Sequence, residues 1–528
     1  MNISDSKLMM IEQLTYLNFD AGDKGKNIRE LLSGYTDEKL SAMTMSGGEN
    51  ADNAAVIRYI QSDEELCNLV LSDTMQDSDE KTLALCFQNP QNNQDAIVAF
   101  KGTTSKEWGD NIEGLNESDT ARQLDALDYI ESDLERYENI TVVGHSKGGN
   151  KAMYVAVRSD KVDRCIAMDS QGFSQEFIDK YNLEIGLNAG KIKNYSISTD
   201  YVHALLFQLP GSEQIYCKGY RIGKDITRHH QPFTYFQINS EGKIVVDSNG
   251  DPIVVSQING NAVQEDEAIV MLHGFTTFVL NVASADDKKK IVNYLATLAD
   301  MTLGQECSLD ELKNYILNDP ESLSLILAYL VSYMDTYDLN SEDIDKLLTM
   351  LGLNSLDDIF TVKVLGTELC GLSDMLDFML KQLTDGKKDH IISAFLTVIS
   401  GLLKTDNINF DINKLWNDSE QKINSIGKIS PSEGRKVPAV NINTPFFVIN
   451  TATMRNYADR LNNVNKRIVD LDQRLDVLYK KVGLRDLWSL LQADLMTGYN
   501  WKIKNCVQYL NETANDFDNV ERDIVNQF

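Results

Sequence analysis

No two of the seven cysteines stand as a Cys-x-x-Cys pair; at positions 67, 86, 165, 217, 307, 370 and 506 they are odd in number and dispersed. That pattern excludes a disulfide framework and a zinc site, and reads as free, buried thiols. Long apolar runs are also lacking. A spanning helix needs ~18 apolar residues, and the best stretch, His390 to Leu403, is short and interrupted by Ser and Thr. Positive charge is scarce: 50 Lys and Arg face 79 Asp and Glu, a net −29. Such a balance argues against nucleic acid and against unassisted docking on an anionic bilayer, while serving solubility. The first residues, Met1-Asn2-Ile3-Ser4-Asp5, have no basic region leading into an apolar core. No Sec-type signal is read there, and the chain is expected to fold in a cytoplasm.

What is present is ordinary for a soluble globular protein: 42% hydrophobic and 24% charged residues, in a 528-residue chain. That length implies ~3 domains. The organising stretch is Ile140-Thr141-Val142-Val143-Gly144-His145-Ser146-Lys147-Gly148-Gly149-Asn150. A β-branched run enters a Gly-x-Ser-x-Gly turn and leaves as a helix, the pattern of an α/β-hydrolase nucleophile elbow. A serine hydroxyl is a poor nucleophile, so it must project from a sharp turn towards a base. Gly144 and Gly148 spare the crowded turn two Cβ atoms. The following helix aims its first N–H groups, that of Lys147 foremost, at the place where an oxyanion develops.

Thr82 to Phe87 and Ala96 to Phe100 read as strands joined by a hairpin at Asn89 to Asn93. The second ends in Lys101-Gly102-Thr103, where an oxyanion hole needs its second donor, which selects Thr103. Ser118 to Tyr137 carries apolar residues at helical spacing and supplies the crossover into the elbow strand. Arg164 to Met168 and Tyr195 to Thr199 read as further strands, ending at Asp169 and Asp200. An active site at the strands' carboxyl ends suits that pattern.

The triad order in this class is Ser, acid, His. His145 precedes the nucleophile, His203 stands three residues from Asp200, and His390 falls in a later helical region. His230 is the preferred base, followed by His229 and then His273, because Arg228 to Tyr235 reads as a polar loop before an alternating strand. Asp200 is preferred to Asp169 as the acid, since Asp169 follows the strand next to the elbow and leaves less room. No metal or cofactor is called for.

Phe100-Lys101-Gly102-Thr103 with Gly144-His145-Ser146-Lys147-Gly148 resembles the oxyanion strand and elbow of class 3 lipases. With His230-Gln231-Pro232-Phe233 the resemblance is closer to a bacterial lipase-like branch of that group, over roughly residues 60–300. It implies hydrolysis of carboxylic esters of lipids, with Ser146 as nucleophile, Asp200 as acid, His230 as base and Thr103 as oxyanion donor. Many such lipases carry Arg where this chain has Lys101.

An α/β-hydrolase domain is therefore expected over 1–283, with residues 1–80 as its outer layer and a hairpin at Gly242 to Ile258. A helical middle region follows over 284–425, then a Gly- and Pro-punctuated linker over 426–441. Residues 442–528 read as a long helical hairpin. Met454, Tyr457, Leu461, Val464, Ile468, Leu471, Leu475, Leu478 and Val482 alternate steps of three and four, a heptad seam. A second helix carries Ile503, Val507, Leu510, Ala514, Phe517, Ile524 and Phe528. Such a hairpin exposes apolar surface unless a partner covers it. This tail resembles LXG/WXG-type domains of substrates of the Gram-positive type VII secretion system. Phe517-Asp518-Asn519-Val520-Glu521 resembles that system's Tyr-x-x-x-Asp/Glu export signal, with Phe for Tyr. The connector has Leu495-Met496-Thr497-Gly498 in place of Trp-x-Gly, and the domain order is reversed.

The resemblance implies a secreted lipase that leaves the bacterial cytoplasm by a signal-peptide-independent route. Its partners would be a lipid substrate, small helical WXG/LXG-associated proteins and the type VII machinery. The rivals are a cytoplasmic esterase or thioesterase, and an idle hydrolase scaffold that binds lipid or a partner.

Overall fold

A computed structural model describes residues 3–17, 19–42, 50–76, 82–102, 117–222 and 226–299, with residues 319–337 and shorter segments beyond. The chain falls into two compact units, 1–442 and 443–528.

The first unit is built on a seven-stranded sheet whose spatial order follows the chain. Its strands are β1 Val70–Gln76, β2 Thr82–Asn89, β3 Asn92–Phe100, β4 Asn139–His145, β5 Val162–Met168, β6 Ile192–Ile197 and β7 Glu213–Cys217. The first three pair antiparallel, and β3 to β7 run parallel. A parallel sheet is covered on both faces, so its strands read as continuous apolar runs, as Ile140 to Val143 nearly does. Side chains alternate between two cores: Leu85, Phe87, Ile97 and Ala99 enter one, while Ala84, Cys86, Val98 and Phe100 enter the other. The four cysteines at 67, 86, 165 and 217 are free and buried.

One face is covered by α1 (Asp5–Glu12) and α2 (Asn50–Ser62). The N-terminal residues, expected as the outer layer, supply these two helices, and Leu8, Met9, Met10 and Ile11 of α1 are at most 1% exposed in that core, while Val70–Gln76 joins the sheet as its edge strand. Asp5 pins the helix to the sheet by accepting from Tyr195 Oη at 2.6 Å and Lys193 Nζ at 2.9 Å, and by pairing with Arg164. The other face is covered by α3 (Ala121–Asp128) and α4 (Lys147–Arg158). Thr120 and Gln123 close a capping box at the start of α3.

After the sheet, two sequence expectations change. The segment Pro232–Tyr235, the end of the expected polar loop, forms a 3-10 turn with all four residues buried, and among the described residues the alternating strand expected after it does not form before Gln257–Ile258. Proline at its first position has no N–H to give to a ladder. The Gly242 to Ile258 hairpin is reduced to isolated bridges, Ile238 to Ile244 and Val246 to Pro252, around a turn closed by Asp247 N–H donating to Asp251 O at 2.9 Å.

Helices α5 (Glu267–Val282), α6 (Ala285–Ala299) and α7 (Pro320–Tyr337) follow. Phe275 and Phe278 of α5 pack with Tyr329 and Tyr333 of α7 in a separate core. Within the expected helical middle, Val362–Val364 and Thr367–Leu369 pair as a short hairpin. Part of the expected linker also folds: Pro431–Gly434 is a helical turn whose Pro431 carbonyl accepts from Tyr337 Oη at 3.1 Å. No helix among the described residues is long and apolar enough to cross a membrane. In the second unit, Arg455 Nη2 donates to Asn515 Oδ1 at 2.9 Å. Most of the heptad seam, including Met454 and Val464, lies outside the described residues, as do Phe517 and Glu521.

Candidate active site

The site gathers at the carboxyl ends of β3 to β6, where the apolar strands give way to Gly102, Ser146, Asp169 and Asp200. Ser146 stands between β4 and α4 with φ 57° and ψ −127°, a conformation that L-residues rarely adopt. Strain of this kind costs about 1–3 kcal/mol and persists only where surroundings impose it. Here they do: a Cβ on Gly144 would overlap Gly148, and one on Gly148 would overlap the Phe100 carbonyl. The Ser146 N–H donates to Met168 O at 2.8 Å, fixing the turn to β5. Its hydroxyl makes no capping bond to the helix it heads.

Gly102 closes the other wall. A Cβ there would lie 2.8 Å from Tyr16 Oη, 3.3 Å from His145 O and 3.7 Å from Ser146 Cβ. The end of β3 therefore stands beside the serine, as an oxyanion strand must. Lys147 is the first residue of α4, directly after Ser146, so its N–H stands at the helix start. Thr103 lies outside the described residues.

Asp200 follows β6 and is fully buried. Its Oδ1 accepts from His230 Nδ1 at 2.7 Å. Its Oδ2 accepts from the N–H groups of Val202 at 3.1 Å and His203 at 2.9 Å, and faces His203 Nδ1 at 3.2 Å. Burial alone would raise its pKa; the His230 and His203 interactions outweigh that and hold it well below the usual carboxylate range. Of the histidines weighed as base, His230 is hydrogen-bonded to Asp200. His229 instead faces Thr199 O through Nδ1 at 3.3 Å. His273 lies on α5, 3.9 Å from Glu265. The His230 ring lies against His145, centroids 4.6 Å apart and planes tilted by 37°, so it sits next to the residue preceding Ser146.

His145 and Asp169 lie beside the Asp200–His230 pair, with His145 Nε2 3.9 Å from Asp169 Oδ2. Burial and the adjacent His230 push the His145 pKa well below its usual value, so the ring is neutral. Burial and the Asp200 charge push Asp169 well up. Asp169 Oδ1 accepts from Ile197 N–H at 2.8 Å, tying β5 to β6 rather than serving a histidine base.

His203 was passed over in the sequence because it follows Asp200 so closely. The structure gives it a second carboxylate, Glu265, whose Oε1 lies 2.8 Å from His203 Nε2. The signal was present as Asp-x-x-His, a spacing that lets one carboxylate accept from both backbone and ring. Two overlapping sets, His145-Asp169-His230 and Asp169-Asp200-His203, bring ligand-type atoms within 4.8 Å of one another. In these sets both Asp200 oxygens and the Nδ1 atoms of His203 and His230 are hydrogen-bonded, whereas His145 Nδ1 and Nε2 and Asp169 Oδ2 are buried without a hydrogen-bond partner.

The base loop is anchored from behind. Arg228 Nη2 donates to buried Asp52 Oδ2 on α2 at 3.0 Å, and Arg228 Nε donates to Arg221 O at 2.9 Å. Arg221 also pairs with Asp52.

Residues 64–215 match the Mbeg1-like family. The matched segment begins before β1 and ends inside β7, so it contains Ser146, Asp200 and His203 and stops short of His230 and Glu265. The chain has no match among curated proteins. Together the Mbeg1-like match and the mainly parallel α/β sheet point to a hydrolase.

Proposed function

We propose that the chain is a serine esterase acting on carboxylic esters of lipids, a lipase or phospholipase A. The observation that carries this reading is the 2.7 Å bond from His230 Nδ1 to Asp200 Oδ1, beside a serine held at φ 57° at a helix start. With Nδ1 donating to Asp200, the other ring nitrogen of His230 is the acceptor and can take the Ser146 proton. Ser146 Oγ then bonds to the acyl carbon, and the carbonyl electrons move onto oxygen. The Lys147 N–H and Thr103 receive that oxyanion. His230 returns the proton to the leaving alcohol as the ester C–O bond breaks. Water, deprotonated by His230, releases the acid and restores Ser146. The experiment is labelling with a fluorophosphonate and product analysis on phospholipid and neutral lipid. Ser146→Ala should abolish labelling and reduce turnover by several orders of magnitude; more than about a tenth of activity remaining, a loss below ~1.4 kcal/mol, refutes it.

We also propose that residues 442–528 carry export and partner binding, on the strength of the heptad seam and the Phe517 to Glu521 segment. Apolar stripes gain ~25 cal/mol per Å² on being covered, which favours a small helical partner bound before type VII secretion. A chain ending near Ala439 should keep esterase activity, lose its helical partners in pull-down and stay inside the cell. Normal secretion of that shortened chain would leave the tail as a self-association device.

A further inference from the structure

We propose that buried His203 and partly buried Glu265 form a charge-balancing pair beside Asp200 that sets the basicity of His230. The inference rests on the esterase reading for its kinetic consequence, and on geometry for the pair itself. His203 is 1% exposed, with Nδ1 3.2 Å from Asp200 Oδ2 and Nε2 2.8 Å from Glu265 Oε1. A neutral imidazole has one donor and one acceptor nitrogen, so it cannot donate to two ionised carboxylates. Both bonds are satisfied when the ring is an imidazolium. Burial opposes that charge, but the bonds to Asp200 and Glu265 outweigh it and raise the pKa to about 9.

An imidazolium directly beside the triad acid has a cost for catalysis. Asp200 must stabilise the positive charge that His230 acquires when it takes the serine proton. A cation paired to Asp200 alone would cancel that carboxylate, and His230 would face a neutral pair. Glu265 restores the balance: Asp200, His203 and Glu265 together carry one negative charge. The pair also holds the Asp200 carboxylate from the side opposite His230, so His203 and Glu265 act as positioning residues and touch no substrate.

The surroundings contain the other groups that bear on this charge. The Tyr216 ring lies 5.6 Å from His203, centroid to centroid; Asp169, whose pKa burial and the Asp200 charge push well up, lies within 4.8 Å of Asp200 and His203, and burial first pushes the His145 pKa well down. His273 Nδ1 is 3.9 Å from Glu265, and burial first, with His203 adding to it, lowers its pKa, so it adds no positive charge near neutrality. Glu265 is thus the one anion, among the described residues, hydrogen-bonded to the far side of His203.

The tests are a pH profile and a spectrum. In Glu265→Gln, His230 faces a neutral Asp200–His203 pair, so the acid limb of kcat/KM should move down by about one pH unit and kcat should fall about tenfold. Adding His203→Asn removes the cation and should return the limb towards wild type. An unmoved limb in Glu265→Gln, or a double variant as impaired as the single, overturns the proposal, since a purely structural pair predicts no such recovery. Nitrogen-15 NMR of the histidine rings in the unaltered chain is independent of activity. It should find both ring nitrogens of His203 protonated up to about pH 8; a singly protonated ring at pH 7 overturns the proposal. If the Ser146→Ala control retains activity while the spectrum behaves as expected, the esterase reading fails and the ion pair stands.

Discussion

A Cβ placed on Gly148 would overlap the carbonyl oxygen of Phe100, so the first turn of α4 rests directly against the end of β3. This contact sets the oxyanion strand and the elbow at one level, as does the pairing of Phe100 with Gly144 across the parallel strands. Gly148→Ala should therefore force the two apart. A loss of roughly 1–3 kcal/mol is expected for such overpacking, seen as a lower melting temperature together with lost fluorophosphonate labelling. An unchanged melting temperature would mean the contact yields at no cost.

Replacing Ser146 itself separates strain from chemistry. Ser146→Ala keeps the strained φ and should melt near the wild type. Ser146→Gly relieves the strain and should be more stable than Ser146→Ala by about 1 kcal/mol. Both should be inactive. Equal stability of the two would show that the elbow stores no backbone strain.

Neighbouring histidines should differ sharply. His230→Ala and Asp200→Asn are expected to lower kcat by at least about a thousandfold while leaving substrate binding nearly intact. His229→Ala, which removes a ring facing Thr199 O, should cost less than about tenfold. Steady-state kinetics on a short acyl ester decides the matter, and the reverse ranking would move the base to His229.

The Arg228–Asp52 contact predicts an effect at a distance from the serine. Asp52→Asn weakens the anchors to Arg228 and Arg221 that hold the His230 loop. A stability loss of roughly 2 kcal/mol is expected from a weakened buried charged hydrogen bond, with kcat falling more than KM changes. Thermal melts and kinetics on the same preparation test both halves.

His203 also makes stability depend on pH. Its folded pKa of about 9 lies above its ordinary value of 6.5, so its contribution is fully present below pH 6.5 and disappears as pH rises through about 9. The melting-temperature gap between the wild type and His203→Asn should be widest near pH 6 and narrow by pH 9.5. A gap that widens with pH would contradict the charged ring.

The parts of this fold that were legible in the sequence are those where one physical demand dominates. The Ile140 to Val143 run is buried on both faces, and the Gly-x-Ser-x-Gly turn admits little else, so strand, elbow and helix were readable. Edge strands were not: β1 has Leu71 alone buried, and β7 buries only Cys217, so neither carries an apolar signal. The Arg228 to Tyr235 segment reads as a polar loop, yet Pro232 starts a turn whose four residues are buried. Asp200 and His230 could be placed by order and loop context, since both must meet at the sheet's carboxyl edge. The second carboxylate escaped because Glu265 stands 62 residues beyond His203, and only the fold brings them together.

The Asn89–Asn92 connection between β2 and β3 lies at the end of the sheet remote from the serine. Nine residues of β3 separate it from the Phe100 terminus, about 25–30 Å at ~3.3 Å per residue. Pro90 and Gln91 are exposed at that bend. The bend is thus an insulated port: an epitope or a fluorescent module grafted there would report on the folded chain without touching the chemistry at the opposite rim.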